Sequence, residues 1–98
     1  MFSIEPDTSG NLILSGRLDA SQCAQAQAVF DKMSNQVSVD CSKLEYISSA
    51  GLGVLLKTQK RLLSANGKLR LTGVNPHIRD IFQYSGFDLI VEIELLPD

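Results

Sequence analysis

The first sixteen residues alternate between apolar and polar positions. Phe2-Ser3-Ile4-Glu5 and Leu12-Ile13-Leu14-Ser15-Gly16 read as two short strands. Asp7-Thr8-Ser9-Gly10-Asn11 between them has the composition of a turn, so the segment predicts a hairpin. The period then changes. Asp19 is a good N-cap with Gln22 in capping-box register, and Ala20, Cys23, Ala24, Gln27, Phe30 and Met33 form a mostly apolar helical stripe that ends at Ser34-Asn35. Val37-Ser38-Val39 predicts a short strand leading to Asp40, followed by a loop from Cys41 to Tyr46. Leu52, Leu55, Leu56, Leu62 and Leu63 repeat near 3.6, with Lys57, Lys60 and Arg61 on the other faces, and Asn66-Gly67 closes that helix. Lys68 to Thr72 alternates as a strand. Asn75-Pro76 starts a third helix with Ile78, Ile81 and Phe82 as its apolar stripe, and Gly86 ends it. Leu89 to Leu96 mixes apolar and acidic residues; Val91, Ile93 and Leu95 predict a last strand, with a short helix as the alternative.

The resulting order is β-β-α-β-α-β-α-β. Strands joined through helices imply parallel pairing. The expected fold is therefore a small α/β domain: a mixed, mainly parallel sheet with an N-terminal hairpin and helices packed on it. With 98 residues the chain suits one hydrophobic core, so residues 1–98 read as a single domain.

Composition narrows the function. Hydrophobic residues make up 44% and charged residues 20%, which excludes a disordered chain. The net charge of −2 argues against broad nucleic-acid binding. That total hides three blocks. Residues 1–45 hold 3 basic and 6 acidic side chains, residues 46–79 hold 6 basic and none acidic, and residues 80–98 hold 5 acidic and none basic. Such segregation suits either solvated faces or a surface that offers one sign of charge to a protein partner. Two cysteines, Cys23 and Cys41, no secretory pattern at Met1-Phe2-Ser3-Ile4-Glu5, and no apolar run near the ~20 residues of a membrane span predict a cytoplasmic protein with reduced thiols.

Catalytic chemistry has few candidates. His77 is the one histidine, and no CxxC or HxxxH spacing supports a metal site. Neither a GxSxG elbow nor a phosphate-cradling glycine loop is present, so no enzyme and no cofactor are expected. The informative segment is Ser48-Ser49-Ala50-Gly51-Leu52-Gly53. Either serine could cap the following helix. The two glycines cost about 1 kcal/mol each in a helix relative to alanine, so close packing or close approach of a partner is expected there. A serine at a helix start is also a natural phosphorylation site, because free N–H groups and the helix dipole accept the added charge.

At these residues the chain resembles the STAS domain family of bacterial anti-sigma factor antagonists. Gly16-Arg17-Leu18-Asp19 is similar to the family's Gly-x-Leu-Asp. Val37-Ser38-Val39-Asp40 through Leu44-Glu45-Tyr46-Ile47-Ser48-Ser49-Ala50-Gly51-Leu52-Gly53 resembles its central strand, loop and phosphorylation motif. Ile81-Phe82-Gln83-Tyr84-Ser85-Gly86-Phe87 resembles its late Leu-Phe-x-x-Ser-Gly-Leu stretch. Aligned on Gly51-Leu52, Ser49 falls on the family's phosphoacceptor, Ser48 on its aspartate and Ala50 on its second hydroxyl residue. The resemblance implies a STAS fold and a partner switch in transcription regulation. The unphosphorylated domain binds an anti-sigma factor that is also a GHKL-type serine kinase, phosphorylation at Ser49 (alternatively Ser48) releases it, and a PP2C-type phosphatase restores it. The domain is then substrate and ligand, monomeric when free, with Asp19, Asp40, Ser48, Ser49, Gly51, Leu52, Gly53, Lys57 and Lys60 around the partner surface. A constitutive, unphosphorylated scaffold in a lipid-transport ATPase complex or a stressosome-like particle is the alternative.

Overall fold

A computed structural model describes residues 2–96; Met1, Pro97 and Asp98, the last counted in the acidic C-terminal block, lie outside the described residues. The strands are β1 (Ser3–Pro6), β2 (Leu12–Leu18), β3 (Gln36–Ile47), β4 (Lys68–Val74) and β5 (Glu92–Leu95). The helices are α1 (Cys23–Phe30), α2 (Ser49–Ser64) and α3 (Pro76–Ser85), with 3-10 turns at Ala20–Gln22 and Phe87–Leu89. The sheet order is β1-β2-β3-β4-β5. β1 pairs antiparallel with β2, and the other pairs are parallel. This is the mixed, mainly parallel sheet that the alternating segments predict.

Alternate residues are buried along β2, the first half of β3 and the start of β4. Leu12, Leu14 and Leu18, then Val37, Val39 and Cys41, then Leu69, Leu71 and Val74 join Ala26 and Phe30 of α1, Leu55 and Leu62 of α2 and Ile78 and Phe82 of α3 in one core. The intervening Ser15, Arg17, Ser38, Asp40 and Arg70 stay half-buried or exposed. One face of the sheet therefore carries the helices and the other is polar. Burial of Cys41 pushes its thiol pKa up to about 12, so it stays protonated and packs as a small hydrophobe.

Three elements differ from expectation. The expected loop at Cys41–Tyr46 is strand: β3 continues to Ile47 and pairs with β2 as far as Leu18. Between the partners Leu12↔Val39 and Leu18↔Ile47, β2 advances six residues and β3 eight, so β3 carries two extra residues at two register shifts. Gly16, at φ +83, provides the left-handed backbone beside the second shift. In the first helix the capping box at Asp19 and Gln22 is present, but it opens a 3-10 turn and the α-helix ends at Phe30. Its buried stripe is Ala26 and Phe30 with Cys23, Val29 and Met33, while Ala20 and Ala24 are exposed. In α2, Leu63 is exposed and Thr58 and Gln59 are buried. The third helix matches its sequence signals. Asn75 Oδ1 accepts from the Ile78 N–H at 2.9 Å, Pro76 is its first residue, and Gly86 ends it at φ +76.

Candidate functional site

Parallel strands β2 and β3 end together. The Ser48 N–H donates to the Leu18 carbonyl at 2.9 Å, which places the start of α2 beside Leu18 and Asp19. At that edge the two serines have different roles. Ser48 is extended and half-buried, and its Oγ accepts from the Gly51 N–H at 3.1 Å. It is the N-cap of α2, and replacing such a residue by alanine typically costs about 1 kcal/mol. Ser49 is the first helical residue, exposed, and its hydroxyl has no hydrogen-bond partner among the described residues.

The glycines also have different roles. A Cβ on Gly51 would lie 2.8 Å from both Ile47 Cγ1 and the Leu18 carbonyl oxygen. Gly51 therefore lets α2 dock tightly on the strand ends. A Cβ on Gly53 would meet nothing within 4 Å. Nothing inside the domain accounts for a glycine there, at a cost of about 1 kcal/mol in helix propensity. The pair gives opposite expectations. Gly51→Ala should destabilise the domain by about 1–3 kcal/mol through overpacking, whereas Gly53→Ala should stabilise it by about 0.5–1 kcal/mol. Urea denaturation of the two variants checks this; equal shifts of one sign would contradict the assignment.

Ser49 stands at a junction of two adjoining grooves. One, of about 460 Å³, lies between the start of α2 and α3 and is lined by Tyr46, Ile47, Leu52, His77, Asp80, Ile81, Tyr84 and Ser85. The other, of about 240 Å³, shares Ser49, Leu52 and Ser85 and continues past Gly53 and Leu56 to Phe87 and Ile90. Tyr84, in the wall of the first groove, is 97% exposed, and Ile90, in the wall of the second, is 47% exposed, so both grooves present large side chains to solvent. Arg17 lies over the Tyr46 ring, 4.4 Å from its centroid.

Asp19, Ser48, Ser49, Gly51, Leu52 and Gly53 are thus brought to one end of the sheet. Asp19 caps the 3-10 turn, accepting from the Ser21 N–H at 3.1 Å and the Ser21 hydroxyl at 2.7 Å. Asp40 is not brought there. It pairs with Ile13 and Thr72 within β3, accepts from the Ser42 N–H at 2.8 Å, and is separated from Ser48 by the rest of the strand, on the order of 20 Å at the usual rise per residue. Lys57 and Lys60 are exposed further along α2. Arg61, expected on an exposed basic face, instead donates through Nη2 to the Phe30 and Met33 carbonyls at 2.7 and 2.8 Å and closes the C-terminal end of α1. Of the groove residues outside the expected partner surface, Tyr46 and Tyr84 lie within the two family-like stretches without a role assigned to them, and Asp80 lies just outside the second.

Among the described residues no group of three or more His, Cys, Asp or Glu side chains could hold a metal ion. None of the described helices is long and apolar enough to cross a membrane.

Comparison with known proteins decides the family. The family model described as "Mlab, STAS domain" matches residues 4–96. The chain belongs to the STAS domain family. BtrV of Bordetella bronchiseptica, a candidate anti-sigma factor antagonist, is 44% identical over 64 residues, which are 65% of this chain and 55% of BtrV. The match thus spans about half the length of that curated relative. The crystal structure of a candidate anti-sigma factor antagonist from Thermotoga maritima superimposes with a TM-score of 0.79 at 25% identity, over 96% of this chain and 86% of that one. The anti-sigma factor antagonist SpoIIAA in its unphosphorylated form superimposes with a TM-score of 0.73 at 23% identity, over 95% and 87%. Bacillus SpoIIAA in its phosphorylated form gives 0.68 at 22%, over 95% and 90%. The likeness to SpoIIAA shows that this STAS chain has the same fold.

Proposed function

We propose that this STAS domain is an anti-sigma factor antagonist acting in the cytoplasm, switched by phosphorylation of Ser49. In its unphosphorylated form it binds an anti-sigma factor that is also a GHKL-type serine kinase, and so frees the sigma factor. The kinase phosphorylates Ser49, the complex parts, and a PP2C-type phosphatase resets the domain. The domain contributes no catalytic group of its own.

The observation that carries this reading is the division of labour at the start of α2. Ser48 is engaged as the cap, and Ser49 offers a free hydroxyl at the mouth of the apolar grooves. Phosphate at Ser49 would add about −1.5 to −2 charges beside first-turn N–H groups that have no intrahelical partner. The free domain tolerates that charge. A partner seated over Leu52, Gly53 and the grooves would have to bury it, which is costly. Release without refolding follows. The position that is aspartate in the family pattern is Ser48 here, and aspartate and serine are about equally good N-caps. The substitution preserves the cap and leaves Ser49 as acceptor. The relatives' descriptions favour the antagonist over a constitutive scaffold.

Intact-mass measurement after incubation with the cognate kinase and ATP tests this. One added phosphate is expected on the wild type and none on Ser49→Ala. A phosphate gained by Ser49→Ala would refute the assignment, and co-purification with a transporter ATPase in place of a kinase would return the scaffold reading.

A further inference from the structure

We infer that the cleft between α1 and α2 docks an acidic segment of a protein partner, at a place distinct from the Ser49 grooves. The argument starts from the basic block at residues 46–79. Four of its six cations have work inside the domain. Arg61 holds the end of α1. Lys68 pairs with Glu92 at 3.0 Å, Arg70 pairs with Glu92 and Glu94, and Arg79 pairs with Asp80 at 3.1 Å. The hydrogen bond from Lys68 holds the Glu92 carboxyl below the usual carboxylate range, as an engaged pair should. The two that remain are Lys57 and Lys60. Both are exposed and neither has a carboxylate partner among the described residues.

These two lysines, with Arg61, Gln27 and Asp31, line a cleft of about 380 Å³. Gln27 Nε2 donates to Asp31 Oδ1 at 2.9 Å, so the one carboxylate in the wall is held by a neutral group on its own helix. Three cations against one anion leave the cleft net positive in a protein whose total charge is −2. That combination selects the occupant. Lys57 and Lys60 are about one helical turn apart, a spacing that two carboxylates a turn apart on a peptide can meet. A polyanion would have to bring dense phosphate charge past Asp31 and toward a chain that carries excess negative charge elsewhere.

The cleft is reachable from the switch site. Lys57 is eight residues and Lys60 eleven residues beyond Ser49 on one helix, about 12 and 16 Å along its axis. A partner seated at Ser49 and passing over open Gly53 can continue into it. The identity of that partner rests on the proposed function; the chemistry of the occupant rests on the cleft alone.

The test has two arms. In the first, ¹⁵N-labelled protein is titrated at low salt with a synthetic peptide carrying two glutamates one helical turn apart. Shifts are expected to concentrate at Gln27, Lys57 and Lys60. Equal shifts at Lys43, outside the cleft, would overturn the inference, as would preferential binding of oligo(dT) or phosphatidylserine vesicles that Lys57→Gln/Lys60→Gln removes. In the second, association with the cognate anti-sigma factor is followed at increasing ionic strength. The double variant is expected to bind about 3- to 10-fold more weakly, with a flatter salt dependence, while Lys43→Gln binds as wild type. A double variant indistinguishable from wild type would overturn the inference and leave the proposed function standing. A wild type that does not bind the anti-sigma factor would remove the proposed function, and the peptide arm would then decide the cleft.

Discussion

Ser49→Asp is expected to bind the anti-sigma factor about 100-fold more weakly than the wild type, while the domain itself stays as stable or becomes slightly more stable. The two effects have opposite signs for one reason. An aspartate at the first position of α2 faces the positive end of the helix and stabilises it by about 0.3–1 kcal/mol. The same charge stands at the junction of two grooves whose walls include Ile47, Leu52, Ile81 and Phe87. A partner that covers Ser49 must strip water from the carboxylate without offering it a counter-charge, and an unpaired interfacial charge typically costs 2–5 kcal/mol. Two orders of magnitude correspond to about 2.7 kcal/mol. Ser49→Ala has no charge to bury and should bind as wild type and persistently, because it cannot be released. Titration calorimetry for binding and thermal unfolding for stability separate the two effects. Equal affinities of wild type and Ser49→Asp would remove Ser49 as the switch, and a Ser49→Asp that binds weakly because it unfolds would show as a lowered melting temperature.

What the sequence made legible is whatever local chemistry decides. Asn75-Pro76 and Gly86 bound α3 because a cap, a proline and a left-handed glycine act within a turn of the backbone. The hairpin and the alternating β4 follow from period-two burial. The second half of β3 was not legible. Its buried residues, Cys41, Leu44 and Ile47, fall three apart, because the two extra residues break the alternation. Only the pairing with β2, more than twenty residues earlier, makes that stretch a strand. The same distance in sequence hides the tertiary role of Arg61, which looks like one more cation on a solvated helix. At the site, the motif located the edge and the acceptor region. It could not separate Ser48 from Ser49, since both are serines at a helix start. The contact from Ser48 N–H to the Leu18 carbonyl fixes which one turns inward as the cap. Nor could it separate Gly51 from Gly53, whose surroundings differ only once Ile47 and Leu18 are packed beneath one of them.

Gln59 carries the largest stability effect expected for a single polar side chain in this domain, although no sequence pattern singles it out. It is 5% exposed. Its Oε1 accepts from the Leu69 N–H at 2.7 Å and its Nε2 donates to the Ile90 carbonyl at 2.7 Å. One side chain thereby ties α2 to β4 and to the segment entering β5. Gln59→Leu keeps the volume and leaves both backbone groups unpaired. Each buried orphan costs about 1–3 kcal/mol, offset in part by the apolar gain, so a loss of about 2–4 kcal/mol is expected. For a domain of this size that lowers the melting temperature by about 10–20 °C. Gln59→Glu separates the two bonds. A carboxylate still accepts from Leu69 but repels the Ile90 carbonyl, whereas the protonated acid donates to it. Burial and that bond raise the folded-state pKa above the unfolded value of about 4.3. The bond's contribution is then fully present below the unfolded pKa and is lost as pH rises through the folded one. Urea midpoints across that range should fall with rising pH for Gln59→Glu, relative to wild type, and run parallel to wild type for Gln59→Leu. A Gln59→Leu domain within about 0.5 kcal/mol of wild type would show that the two backbone groups find other partners. The approach of β5 to α2 would then not depend on this side chain.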